Sequence, residues 1–269
     1  MRALVAGPRL RRFPVCACSV PGNFLHLTVL VNQGAADAKA IFERLVLVFR
    51  RFLRKREILA PTLQGWAVIL LCLLIVLTTV VTGLHPFLAV NRPVGGEVLV
   101  VEGWLSKYAL QAAADRFRSD GYRWLVTTGG PLSEDSHFAE CFAGFQTYAD
   151  VSAALLKEMG VEGDRISTVA TPRVVRNRTY ASAVALRRYL QEAVPTATGV
   201  DVFTLGPHAR RTWLLFDMAL GGQVRVGVIH AAYRGYDPHR WWASSSGVKR
   251  TITEALGYLY ARFLFFPEE

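Results

Sequence analysis

Between Trp66 and Leu84 the chain runs nineteen residues, WAVILLCLLIVLTTVVTGL, without a charged side chain. A helix needs about 20 apolar residues to cross roughly 30 Å of hydrocarbon, so the run has the length and composition of one membrane span. A buried helix of a soluble core and a secretory signal are the alternatives. The length of the run and its start far from Met1 weigh against both. Arg50, Arg51, Arg54, Lys55 and Arg56 crowd its N-terminal side, whereas Arg92 is the only Lys or Arg before the next expected strand. By the positive-inside bias, residues 1–65 form a basic cytoplasmic segment, 66–84 a transmembrane helix, and 93–269 an extracytoplasmic domain.

The net charge of +10 at first suggests a nucleic-acid binder. Its distribution argues otherwise. Residues 1–65 hold 11 Lys and Arg against 3 Asp and Glu, while the remainder holds 20 against 18. The excess therefore lies beside the membrane, where cations meet anionic lipid, and the outer domain has no global field to steer it onto nucleic acid.

Residues 1–35 mix Arg, Pro and Gly with apolar residues in no sustained period, as in a flexible tail or a misassigned start. Asp37 to Glu57 reads as a basic amphipathic helix with Ile41, Leu45, Val48 and Phe52 on one face. It lies on the inner membrane surface or extends the span, and Pro61 favours a break between them. Cys16 and Cys18 lack the spacing of a zinc or redox motif, Cys72 falls in the span, and Cys141 is alone beyond it. No disulfide framework can form within the outer domain.

After the span, strands alternate with helices. Strands are predicted at Glu97–Val101, Trp124–Thr128, Arg165–Val169, Asp201–Leu205 and Val224–Ile229. Helices are predicted at Tyr108–Asp120, Phe138–Met159, Thr179–Glu192, Ala209–Leu220 and Val248–Leu264. Strands apolar on both faces and separated by helices imply an α/β fold, a Rossmann-like three-layer sandwich with a mostly parallel sheet.

Ligands of such sheets bind outside the carboxyl ends of the strands. Those ends carry Glu102-Gly103, Gly129-Gly130, Arg178-Thr179, then His208 with Arg210 and Arg211. Two arginines in the first turn of a helix face the positive end of its dipole, which an anion would relieve. Solvation, or pairing with a sheet-edge carboxylate, is the plainer explanation. His208 titrates near neutrality and is the acid/base candidate, or it merely caps the helix. Arg178 offers a second anion contact, with Asn177 or Thr179 capping the helix there. Gly129 and Gly130 either cradle an anion with backbone N–H groups or simply turn the chain. Glu102 orients a reacting group or pairs with an arginine.

No metal-ligand spacing, GxSxG elbow, Walker loop or GxGxxG fingerprint occurs, and the sequence identifies no cofactor. Trp241 and Trp242 line the site or dock the last helix. Tyr258, Tyr260, Phe263, Phe265 and Phe266 place the C-terminus near the bilayer interface.

In order, Glu102-Gly103, the helix up to Gly121, Thr127-Thr128-Gly129-Gly130, Gly160-Val161, Arg178-Thr179 and His208 with Arg210 and Arg211 resemble the YdcF-like or DUF218 family, which includes the SanA and ElyC envelope proteins. The resemblance covers about Gly96–Leu264. The chain departs from the family pattern after the first strand, where Glu102-Gly103-Trp104 replaces a Gly-rich turn. It departs again after Thr179, where Tyr180-Ala181-Ser182 follows. The family implies a Rossmann-like domain, often membrane-anchored, linked to cell-envelope biogenesis. The expectation is a protein acting on or binding a phosphate-bearing envelope precursor, free or lipid-linked, as a hydrolase or transferase. The alternatives are a non-catalytic module for a nucleotide-like ligand, or a scaffold for envelope-complex proteins.

Overall fold

A computed structural model describes residues 43–44, 61–132, 142 and 144–267. The cysteine pair, Cys141 and the amphipathic helix expected over 37–57 lie outside them, apart from Glu43 and Arg44, which are helical. Helix α1 (Leu63–Leu88) starts two residues after Pro61 and carries the uncharged run. It is one helix long and apolar enough to cross a membrane.

The remaining elements follow in strict alternation: β1 (Val98–Glu102), α2 (Lys107–Ser119), β2 (Trp124–Gly129), α3 (Tyr148–Glu158), β3 (Ile166–Ala170), α4 (Arg178–Ala193), β4 (Gly199–Leu205), α5 (Ala209–Leu220), β5 (Arg225–Ala231) and α6 (Ser245–Phe263). All strand pairings are parallel, in the order β3-β2-β1-β4-β5. The expected Rossmann-like α/β sandwich is thus present. Every residue of β1 and β4 is buried, as expected for strands covered on both faces. Alternation divides them: Leu99 and Val101 pack with Leu110, Phe117 and Leu156 on one side of the sheet, and Val98 and Val100 pack with Leu186, Phe216 and Leu220 on the other. The order reverses between β1 and β4, so a crevice opens where their carboxyl ends diverge.

One helix is shorter than its sequence pattern predicts. Among the described residues, the run expected from Phe138 is helical over Tyr148–Glu158. Gly144 adopts φ 110°, outside any helical conformation, and Thr147 starts the helix with a reciprocal capping box to Asp150. Residues 138–141 and 143 lie outside the described set.

Two features fasten α1 to the domain. Val81, Leu84, His85 and Leu88 recur at helical spacing on its less exposed side. His85 Nε2 lies 3.0 Å from the Tyr236 hydroxyl, and Trp241 Nε1 donates to the Val81 carbonyl at 2.8 Å. The connecting strand is tied down by Asp201, fully buried in β4, whose carboxylate accepts from the N–H groups of Val94, Gly95 and Gly96 and from the Tyr122 hydroxyl. A charge inside a parallel sheet is tolerable only with such saturation.

Candidate functional site

At the crevice between β1 and β4 a polar cluster replaces the apolar core. Glu102 closes β1, His208 ends a 3-10 turn (Gly206–His208) after β4, Arg211 sits in the first turn of α5, and Glu254 comes from α6. Gly206 takes φ 52°, the left-handed conformation that lets the chain turn sharply into α5. His208 makes no side-chain cap bond. Its Nδ1 instead lies 3.0 Å from Glu254 Oε2, and its Nε2 lies 3.6 Å from Glu102 Oε1.

Glu102 accepts from the Thr204 hydroxyl and, at 3.4 Å, from Thr212. It therefore does not pair directly with an arginine. Arg211 grips Glu254 with Nε at 2.9 Å and Nη2 at 3.2 Å, a two-pronged contact. Arg211 Nη2 also comes within 3.0 Å of His208 Nδ1. Both groups are donors when the imidazole is charged, so Glu254 is the shared acceptor that holds these two cations together.

Burial disfavours charge on His208, but Glu102 and Glu254 on either side outweigh it and raise its pKa from 6.5 to about 9. The imidazole is thus a cation at neutral pH, not the near-neutral shuttle suggested by the free side chain. Burial would raise Glu254, yet contacts with His208 and then Arg211 bring it down to about 2. Glu102 also lies below the ordinary carboxylate range, because His208 and the Thr204 hydroxyl overcome its complete burial. Trp104 stands edge-on to His208, ring centroids 5.1 Å apart, and walls one side of the imidazole.

This cluster forms the floor of a cleft of about 800 Å³. Thr128, Gly129, Gly130, Arg178 and Thr179 line it, together with Arg250 and Tyr260. Arg178 is exposed at the start of α4, where Asn177 takes φ 56° and makes no side-chain cap bond. Among the described residues neither Arg178 nor Arg250 has a carboxylate partner; Arg250 lies over the Tyr233 ring and donates to its hydroxyl at 3.4 Å. Thr128 Oγ1 and His208 Nε2 are buried and lack a hydrogen-bond partner among those residues. Both residues line the cleft, and His208 Nε2 has only the Glu102 carboxylate near it, at 3.6 Å.

The remaining expected site residues separate. Arg210 lies outside the cleft lining: it donates to the Phe87 carbonyl and stacks 3.9 Å from the Phe87 ring, at the C-terminal end of α1 where orphan carbonyls attract cations. Adjacent residues at a helix start point in different directions, and only Arg211 turns toward the cleft. Gly103 does not line the cleft either. A Cβ there would stand 2.7 Å from the Tyr148 backbone, so Gly103 admits the N-terminus of α3 against β1. Gly129 has the same tight fit, 2.9 Å from Ala149 N, while also lining the cleft.

Glu254 and Arg250 were not singled out by the sequence. The available signal was a helix face of Gly247, Thr251, Glu254 and Ala261, all buried, on which one acid is out of place. Gly257 continues the arrangement: a Cβ there would lie 3.0 Å from Arg211 Nε, so its absence leaves room for the guanidinium against α6. Comparison of the chain with family models and with curated proteins finds no match.

Proposed function

We propose that the protein is a DUF218-like, single-pass membrane protein of cell-envelope biogenesis, with its N-terminus in the cytoplasm and its α/β domain outside. In this reading the cleft binds a phosphate-bearing envelope precursor, free or lipid-linked, and carries out hydrolysis or transfer on it. The observation that carries it is a cleft lined by Thr128 and His208, whose side chains each leave a buried polar atom without a hydrogen-bond partner, and by three arginines without a carboxylate partner among the described residues, Arg173, Arg178 and Arg250. An anion supplies acceptors to these arginines and compensates their charge.

We assign the roles as follows. Arg178 and Arg250 hold the anion, with Gly130 and Thr128 at its edge. His208 presents a protonated Nε2 that stabilises developing charge or protonates a leaving oxygen. Glu102 and Glu254 keep that proton in place at neutral pH and orient the ring. Arg211 restrains Glu254 and reaches the anion only through the cluster.

The test is titration of the full chain, in detergent or nanodiscs, with phosphate monoesters, diphosphates and nucleotides. Wild-type protein should show saturable binding, weakened about tenfold, or about 1.4 kcal/mol, by Arg178→Ala. His208→Gln should retain a substantial part of that binding while abolishing product. Absence of saturable binding across the panel contradicts the anion site. Binding with no product for any phosphoester leaves the site as a ligand-holding module.

A further inference from the structure

Helix α6 carries the buried acid of the cluster on one side and, on the opposite side, Val248, Ile252, Leu256, Leu259 and Phe263. At 100° per residue these five fall within a narrow arc centred away from Glu254 and Ala261. All five are exposed; Leu256 and Phe263 retain 62% and 63% of their accessible surface. A helix with its apolar stripe turned outward leaves unsatisfied hydrophobic surface unless something covers it.

The placement of α1 says what covers it. Trp241, just before α6, meets α1 at Val81, and Tyr258 on α6 meets it at Phe87, ring centroids 5.6 Å apart. Val81 and Phe87 are separated by about 9 Å of helix rise, whereas Tyr258 lies about 20 Å along α6 from its start. The two helices are therefore strongly inclined to each other. None of residues 63–80 is buried, and eighteen residues span about 27 Å, close to the hydrocarbon thickness. Val81, the first residue gripped by the domain, thus marks the membrane surface, and α6 starts at that level and leaves it at a shallow angle, rising about 9 Å over its first 20 Å. Lys249 and Arg262 are exposed on α6, and its only acid, Glu254, is buried. Such a rim suits anionic headgroups.

We infer that α6 is a second membrane contact: its apolar stripe lies in the interface of an anionic bilayer, continuous with the lipid-facing surface of α1. This rests on α1 spanning that bilayer. It brings the cleft, which Gly257 and Ala261 line from the opposite side of α6 and Tyr260 from beside the stripe, to the headgroup layer. The ligand class then narrows to lipid-borne phosphates entering laterally.

The test uses the full chain with its four native cysteines replaced by serine, in nanodiscs containing an anionic phospholipid. Single nitroxides are placed at positions 73, 252, 256, 263 and 192, and their collisions with oxygen and with a water-soluble nickel chelate are compared. Position 73, in the apolar run, reports on the span itself, and Glu192, exposed on α4, serves as the aqueous control. Lipid-like signals at 252, 256 and 263, with at least severalfold less nickel accessibility than at 192, are expected. Nickel accessibility at these positions equal to that at 192, with 73 lipid-like, overturns the α6 contact alone. Protection of the α6 sites from both reagents indicates a protein cover, such as a second copy, and also overturns it. An aqueous signal at 73 removes the span and the proposal built on it.

Discussion

His208 Nδ1 and the Glu254 carboxylate stand 3.0 Å apart, and this contact joins the turn after β4 to the last helix of the fold. Glu254 carries Arg211 on its other edge. One carboxylate therefore supports two cations at the floor of the cleft. His208 in turn spans from Glu254 to Glu102, so the cluster alternates in sign and is charge-balanced while largely buried.

Removing one member of such a buried cluster leaves an uncompensated charge. Glu254→Ala is expected to destabilise the domain by about 3 kcal/mol and to return the His208 pKa toward 6.5. Glu254→Gln keeps the shape, so it should cost less stability while still lowering the His208 pKa. Chemical denaturation and histidine NMR titration on both variants measure the two effects separately.

Stability should depend on pH with two limbs. The folded pKa of His208, about 9, exceeds its ordinary 6.5, so its contribution is complete below about 6.5 and is lost as pH rises through 9. Glu254, lowered to about 2, contributes fully above about 4.5 and loses that contribution as pH falls toward 2. Glu102 acts in the same direction as Glu254. Thermal unfolding across pH 3–10 should therefore peak between about 5 and 6.5. The variant His208→Gln should flatten the alkaline limb.

Arg210 and Arg178 should contribute unequally to anion binding. Arg210→Ala loses a contact with Phe87 outside the cleft and should change phosphate-monoester affinity by less than about twofold. Arg178→Ala should weaken it about tenfold, one charge-assisted contact. Calorimetric titration of the three proteins discriminates them; equal losses in both variants would contradict this separation.

Alanine at Gly257 would press on Arg211 Nε and Cδ at 3.0 and 3.1 Å. The guanidinium must shift, loosening its two-pronged hold on Glu254. The expected cost is about 1–2 kcal/mol in denaturant unfolding, with a fall in the His208 pKa where helix packing alone would leave it unchanged.

Asp201 is the corresponding point for the linker. Its replacement by alanine strands three backbone N–H groups and the Tyr122 hydroxyl, costing at least about 2 kcal/mol. Tyr122→Phe, which removes one donor and leaves the carboxylate three others, should cost only about 1 kcal/mol. Denaturant titration of both variants checks the order.

The sheet was legible because its physics is local. Two-sided apolar strands such as Val98–Val101, bounded by glycines and separated by amphipathic helices, admit few other folds. The strand-end rule then brought Glu102, Gly129, Gly130, Arg178, Thr179, His208 and Arg211 to one cleft. Arg210 went elsewhere because its direction depends on where α1 docks, a long-range contact without a local signature. Gly103 resembled a ligand-approach glycine, but its Cβ space is taken by α3. Glu254 was illegible for the same reason as Arg210: nothing within α6 indicates that a distant histidine and arginine will surround it. The protonation of His208 at neutral pH could not be read without that partner. The long helix expected from Phe138 failed at Gly144 and Thr147, where capping chemistry outweighs apolar spacing.

The most direct measurement is the ¹⁵N NMR titration of His208 in the full chain, with and without saturating butyl phosphate. The proposed site predicts an imidazolium through neutral pH, an apparent pKa near 9, and a ligand-dependent shift of Nε2 that Arg178→Ala weakens. A histidine that titrates near 6.5, or an Nε2 signal indifferent to the phosphate, would contradict it.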